Sequence, residues 1–389
     1  MKTLDNNFLE NLYITSFSLF FIFNFLDRHL ANIFLLITLF LCLINYKKIY
    51  KSIIDNKELI FCILLFSSYI SFVGYYHSSP MSELDNYYRF LLLLPILAIP
   101  FDENRMINIL SLCALAAFVN FIYIYKLTEL SIDRFSGPAS VAITYANMCS
   151  TLFVICIYYL FYKNHKSKRL VLSAIIFLAL LILTGTRGPV IGVLISLLYL
   201  SYELFKASED KIKSTKPLII LLILVISITS IPNPLGDRLK EISKINLSEP
   251  MNIENKSLRE RIYYLNYGID RLGDNYLIGI GPENLVSDMK ESLDGKVRGK
   301  YHIFPKDHLH NEFLDISVKF GLLSLVLLLL IYYLMFKSKD IEHKVLFNIV
   351  MLMLICSQLT QSQLSHHQAI TFFIVLIYIL LRKSMRYSP

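Results

Sequence analysis

Residues 170–201 read LVLSAIIFLALLILTGTRGPVIGVLISLLYLS: two apolar runs separated by Thr184-Gly185-Thr186-Arg187-Gly188-Pro189. A bilayer core of about 30 Å needs roughly 20 apolar residues per helix, fewer where a span is short or partly interfacial. The pair therefore predicts a helical hairpin across a membrane, with Arg187 in its tight turn. The same ruler laid along the whole chain predicts twelve spans, near 13–26, 30–46, 59–76, 90–100, 107–125, 138–162, 170–185, 188–202, 217–232, 310–336, 345–363 and 369–381. Composition agrees. Of 389 residues 55% are apolar and 17% charged, and mean hydropathy is +0.53. Soluble domains run nearer 45–50% apolar and about 25% charged. An ordinary soluble enzyme, a disordered chain and a disulfide-rich secreted scaffold are excluded on these numbers.

Charge placement sets the orientation. Thirty-eight Lys and Arg against thirty Asp and Glu leave a net +8. With the N-terminus inside, the inner segments (1–12, 47–58, 101–106, 163–169, 203–216, 337–344 and 382–389) hold 20 basic residues. The short outer segments hold five: Arg28, Arg89, Lys126, Arg134 and Arg187. This positive-inside bias predicts that both termini face the cytoplasm, and it accounts for the basic balance without nucleic acid. Residues 1–232 then form nine spans, 233–309 one large outer loop with 12 basic and 12 acidic side chains, and 310–389 three spans and an inner C-terminus. The first apolar run, Leu12 to Leu26, lacks a small-residue cleavage site and reads as a retained span. The six cysteines lie in apolar runs without CxxC spacing, as small buried hydrophobes do.

A loop of this length is rarely idle. Ser257-Leu258-Arg259-Glu260 is a capping box, and Leu258, Ile262, Leu265, Ile269 and Leu272 continue it at helical spacing. The pattern predicts an amphipathic helix over 257–273, its stripe against the outer face of the bundle. Of Arg259, Arg261 and Arg271, only Arg261 sits one position from the stripe, where it could point inward; a solvated helix face is the alternative. Arg187 either snorkels to lipid headgroups or presents its bidentate fork to a phosphate.

The loop re-enters the membrane at Asp307-His308-Leu309-His310-Asn311-Glu312. A histidine is often a satisfied structural group, but a helix N-terminus disfavours imidazolium, which would keep His310 neutral as a general base must be. A zinc site from His302, His308 and His310 lacks a carboxylate or cysteine at ligand spacing, so no metal is expected. Asp315 and Lys319, four residues apart, read as a mutually neutralising pair. His366 and His367, between the last two spans, read as interfacial, with lining of the site as the alternative.

His310-Asn311, nine residues, then Gly321-Leu322-Leu323-Ser324 resembles the H-[N/S/Q]-x9-G-x-x-[G/T/Y] signature of O-antigen ligases, with Ser324 where Gly, Thr or Tyr is usual. Thr186-Arg187-Gly188 is similar to the arginine motif of the wider O-antigen ligase/polymerase superfamily. Ser257 to Arg261, followed by Gly279-Ile280-Gly281-Pro282-Glu283-Asn284, resembles its second arginine motif and glycine turn. Asp133-Arg134-Phe135-Ser136-Gly137 is similar to an outer loop of some ligases. The resemblance implies an all-α polytopic membrane protein of about 12 transmembrane helices, a GT-C-like glycosyltransferase of the bacterial inner membrane with its site facing the periplasm. It also implies a metal-independent, inverting transfer without a cofactor. The partners implied are an undecaprenyl-pyrophosphate-linked O-antigen donor, a lipid A–core acceptor and membrane lipids. Carried over, His310 takes the acceptor hydroxyl's proton, Arg187 and Arg261 hold the pyrophosphate, and Asn311, His308, Arg134 and Gly321 are candidates for substrate binding. An O-antigen polymerase, with a second lipid-linked glycan as acceptor, is the nearest alternative. A lipid-linked glycan transporter would instead place charges at the bilayer midplane in paired halves.

Overall fold

The structure is a computed structural model that describes residues 6–99, 102–127, 135–139, 141–207, 256–293, 305–338 and 343–381, with single positions at 215, 217, 219, 220 and 341. Among these residues the protein is helical, without a β-strand. The first helices are α1 (Asn6–Phe23), α2 (Arg28–Ile44), α3 (Tyr46–Asp55) and α4 (Lys57–Tyr76). A stretch of short turns follows, and then come α7 (Glu103–Leu127), α8 (Ala142–Ile157, continued by a π turn to Tyr162), α9 (Lys168–Leu183) and α10 (Gly188–Ala207). After residue 255 come α11 (Lys256–Asn275), α12 (Leu285–Leu293), α13 (Glu312–Phe320), α14 (Leu322–Lys337), α15 (Lys344–Thr360) and α16 (His367–Leu380). Helices α4, α7, α8 and α10 are long and apolar enough to cross a membrane. Helices α14, α15 and α16 and residues Asn11–Phe23 of α1 are shorter apolar helices, and α3 turns 88° away from α2.

Helix α8 is the hub. Every residue from Ala142 to Ile157 is buried, against α9, α10, α15 and α16, which is why it carries no charged residue and no solvent-facing polar face. The six cysteines are buried and unbridged.

Three expectations are corrected. The apolar run near 90–100 is not one helix. It belongs to a chain of short turns: α5 (Met81–Leu84), a 3-10 turn to Tyr88, α6 (Arg89–Leu92) and a second 3-10 turn over Leu94–Ala98. Pro95 in the last of these has no backbone N–H to give a regular helix. The segment is tied to its neighbours instead, by the Tyr378 hydroxyl on the Phe90 carbonyl (2.5 Å) and the Ser52 hydroxyl on that of Leu97 (3.3 Å). The expected span 310–336 is two helices, broken at Gly321. Helix α11 runs close to its expected length, but its leucine stripe is not what it packs. Leu265 and Ile269 are 46% and 56% exposed, whereas Arg259, Glu260, Tyr264 and Tyr267 are buried. The expected span 217–232 lies outside the described residues apart from three positions, and the loop 233–309 is described over 256–293 and 305–309.

The break at Gly321 organises the loop. Gly321 has φ +83°, and a Cβ there would run into the Leu277 carbonyl. Ending α13 frees its last carbonyls, and the turn after α11 takes them. The Ile280 and Gly281 amides donate to Val318 and Lys319 (2.9 and 3.0 Å), while the Leu322 amide at the start of α14 donates to Tyr276 (2.8 Å). Ser324 donates to the Ile316 carbonyl at 3.0 Å, so the unusual residue of the signature caps the break. Tyr69 of α4 lies 2.8 and 3.0 Å from the Leu277 and Phe320 carbonyls. A small core of Tyr264, Tyr267, Leu285, Met289, Leu309 and Val318 joins α11, α12 and α13. Arg271 is structural here, pairing with Asp288 of α12 at 2.6 Å.

Asp315 and Lys319 form the expected pair, at 2.9 Å and almost wholly buried. Asp315 also accepts from the Leu309 amide (2.8 Å), which fixes the loop before α13. Two substitutions test this framework by thermal unfolding in detergent. Gly321→Ala should cost about 1–3 kcal/mol from backbone strain alone. Lys319→Met, which strands a buried carboxylate, should cost about 3–5 kcal/mol. Midpoints within a degree of the parent would contradict both.

Candidate active site

The loop entering α13 is shaped by its cap. Asn311 is the N-cap, its side-chain oxygen accepting from the Leu314 amide at 3.1 Å and its amide reaching the Leu359 carbonyl at 3.3 Å. To reach that cap, His310 adopts φ +57°, a left-handed conformation that costs a non-glycine residue about 1–2 kcal/mol. Leu309 is buried in the small core on one side, and the His310 ring is thereby turned towards the start of α11 and the end of α15.

The contacts of that ring define its proton. Lys306 Nζ lies 3.0 Å from Nε2. An ammonium only donates, so Nε2 accepts and the proton sits on Nδ1, facing Gln361 Oε1 at 2.5 Å. Lys306 also reaches Glu260 of α11 at 3.5 Å and lies 5.8 Å from the centre of the Tyr264 ring. His308 stands 4.6 Å from the His310 ring, centre to centre, and its Nδ1 is 2.6 Å from Asp307. Gln361 Nε2 lies 3.2 Å from His308 Nε2 and 2.7 Å from His366 Nε2.

The two arginines converge on the same place from separate elements. Gly188, at the start of α10, approaches Thr360 so closely that a Cβ would collide with its side chain, which sets Arg187 beside the Thr360–Gln361 end of α15. Burial lowers the Arg261 proton affinity, and the nearby Arg187 charge lowers it further. Burial is also the main cause that pushes His310 down to about 3, with the His308, Lys306 and Arg261 charges adding to it and the Gln361 bond opposing it. His366 is pushed down to about 4, again chiefly by burial. The bond from His308 holds the Asp307 carboxyl well below the usual carboxylate range. The arrangement is a half-buried cationic cluster around imidazoles kept neutral, with charge suited to an anion beside a group that loses a proton.

Of the candidates read from the sequence, Arg187, Arg261, His310, His308 and Asn311 come together here. Gly321 lies at the far end of α13, about 13–17 Å along the helix from His310, where it serves the break. Arg134 and His302 lie outside the described residues. His366 joins the site, whereas His367 begins α16 and faces the charges of Arg89 and Arg28. Glu260 was read only as part of a capping box, and Lys306 and Gln361 were not singled out by sequence. Gln358, Gln361 and Gln363 in an otherwise apolar stretch were the available signal for the last. Among the described residues no three His, Cys, Asp or Glu side chains are grouped to hold a metal ion.

Residues 172–329 match the family model described as O-antigen ligase. The matched segment begins in α9, ends in α14 and contains Arg187, Arg261 and His310. No curated protein matches the sequence.

The lowered histidines make stability depend on pH. An unfolded histidine titrates near 6.5. Between there and the folded values of about 3 and about 4, the unfolded chain binds more protons, so stability falls as pH drops through that window. The thermal midpoint in detergent should decline from pH 7 to pH 4.5, and less steeply in His366→Gln. A flat midpoint would contradict it.

Proposed function

We propose, from the match of residues 172–329 to the O-antigen ligase family model, that the protein transfers a polysaccharide from undecaprenyl pyrophosphate to a sugar hydroxyl of lipid A–core. The site faces the periplasm, in a polytopic membrane protein. What carries the reading is the convergence of Arg187, Arg261 and His310 from three distant stretches of sequence.

The chemistry follows from that convergence. The acceptor oxygen attacks the anomeric carbon as the bond to the pyrophosphate oxygen breaks, and the bonding pair leaves with the pyrophosphate. A single displacement of this kind inverts the anomeric centre. Two guanidiniums, with Lys306, stabilise the charge that develops on the leaving group. The hydroxyl proton passes to His310 Nε2, which requires Lys306 to turn from that nitrogen to the pyrophosphate. The same exchange adjusts the base. Burial first, and the neighbouring cations after it, hold the proton affinity of His310 low; a pyrophosphate among those cations offsets their part and raises it towards the working range of a general base.

Purified protein given lipid-linked O-antigen and lipid A–core should yield high-mass lipopolysaccharide; longer lipid-linked chains would instead identify a polymerase. His310→Ala should abolish transfer while the protein stays in the membrane. Arg187→Lys should lower the rate about a hundredfold, because the bidentate fork is lost. Arg261→Ala should raise the donor KM. Full activity of His310→Ala and Arg187→Lys would overturn the mechanism.

A further inference from the structure

Gln361 follows the last residue of α15 in extended backbone, with φ −159° and ψ 146°, and is 2% exposed. A buried amide has one carbonyl oxygen and two N–H groups to satisfy. Here all three meet imidazoles. The oxygen faces His310 Nδ1 at 2.5 Å, and the nitrogen faces His366 Nε2 at 2.7 Å and His308 Nε2 at 3.2 Å. This pattern has one consistent set of protons. His310 carries its proton on Nδ1 and donates it, while His308 and His366 accept through bare Nε2 atoms. His308 then keeps its own proton on Nδ1, facing Asp307 at 2.6 Å.

We propose that Gln361 is a positioning residue for the transfer reaction, holding His310 in the tautomer that leaves Nε2 bare for the acceptor hydroxyl. The inference rests on the reading of His310 as the base. An amide suits this place better than a carboxylate. A carboxylate on Nδ1 would orient the ring equally well, but it has no hydrogen for His308 and His366, and its charge would favour imidazolium at all three rings. The amide orients His310 without adding charge, and it rewards neutrality in the two flanking histidines. A proton arriving on Nε2 of either would set N–H against N–H and break that arm of the hub.

The charged and titratable groups around the hub come from every element packed on it. They are Lys306, Asp307 and His308 in the loop, Glu260, Arg261 and Tyr264 on α11, Arg187 at the start of α10, and His366 in the turn before α16, with Lys319 and His367 behind it. None of these makes the bond to His310 Nδ1; Gln361 does.

The test measures kcat and donor KM of the purified full chain between pH 5 and 9, with undecaprenyl-pyrophosphate-linked glycan as donor and lipid A–core as acceptor. In Gln361→Leu, kcat should fall about tenfold to a hundredfold, with donor KM changed less than about threefold. In Gln361→Glu, the acidic limb of kcat should move up by about one pH unit or more, because a carboxylate raises the proton affinity of the base. A purely structural role would not move that limb. Wild-type kcat in Gln361→Leu, or an unmoved limb in Gln361→Glu, overturns the proposal. If Gln361→Leu loses its thermal transition, the Gln361→Glu profile alone decides. His310→Ala separates the two levels: full activity in that variant removes the base and this inference together, whereas inactivity beside unaffected Gln361 variants removes only the inference.

Discussion

A helix that stops inside an apolar bundle leaves carbonyls with no partner, and each unsatisfied one is costly away from water. At the end of α13 that constraint is met by another stretch of backbone. The turn after α11 donates the Ile280 and Gly281 amides to the freed carbonyls, and it accepts the first amide of α14 on Tyr276. The left-handed Gly321 makes room for this by letting the Leu277 carbonyl approach. Much else depends on the join. It ties α11, which carries Arg261, to α13, which begins beside His310, and the small core of Tyr264, Leu309 and Val318 closes over the seam.

The second constraint is electrostatic. Lys306 and Arg261 add positive charge around the His310 imidazole, Arg187 lies near Arg261, and Glu260 lies within reach of Lys306. Like charges brought together repel, and rigid elements hold them in place: the start of α10 pinned against Thr360, the capped start of α13, and the buried amide at the end of α15. Held this way, the site disfavours a second proton on His310 and on His366.

Much of the fold was legible because a bilayer imposes a length. The runs around 59–76, 107–125 and 188–202 appear as α4, α7 and α10. What misled was the amphipathic stripe. In water an apolar stripe points into protein, but a helix beside a membrane need not follow that rule, and α11 turns Leu265 and Ile269 outward while burying Arg259 and Tyr264. The run near 90–100 was misread for a different reason, since Pro95 and bonds to distant partners such as Tyr378 and Ser52 decide its shape. Within the site, Arg187, Arg261 and His310 could be found because each stands beside turn or cap residues in sequence. Gln361 stood out only as one glutamine among several near the end of an apolar run, because its role depends on its distances to His308 and His310, more than fifty positions away.

The hold of the turn on α13 is made by main-chain atoms. Beyond two glycines, Gly279 against the Val318 and Lys319 carbonyls and Gly321 against Leu277, and the Tyr69 and Ser324 hydroxyls on carbonyls of the break, it asks little of side-chain identity. The outward side chains of α11 and α12 can therefore change without disturbing the join, while the spacing between Arg261 and His310 is held by backbone bonds. Tolerance to substitution and placement of the site are carried by different atoms of the same segment.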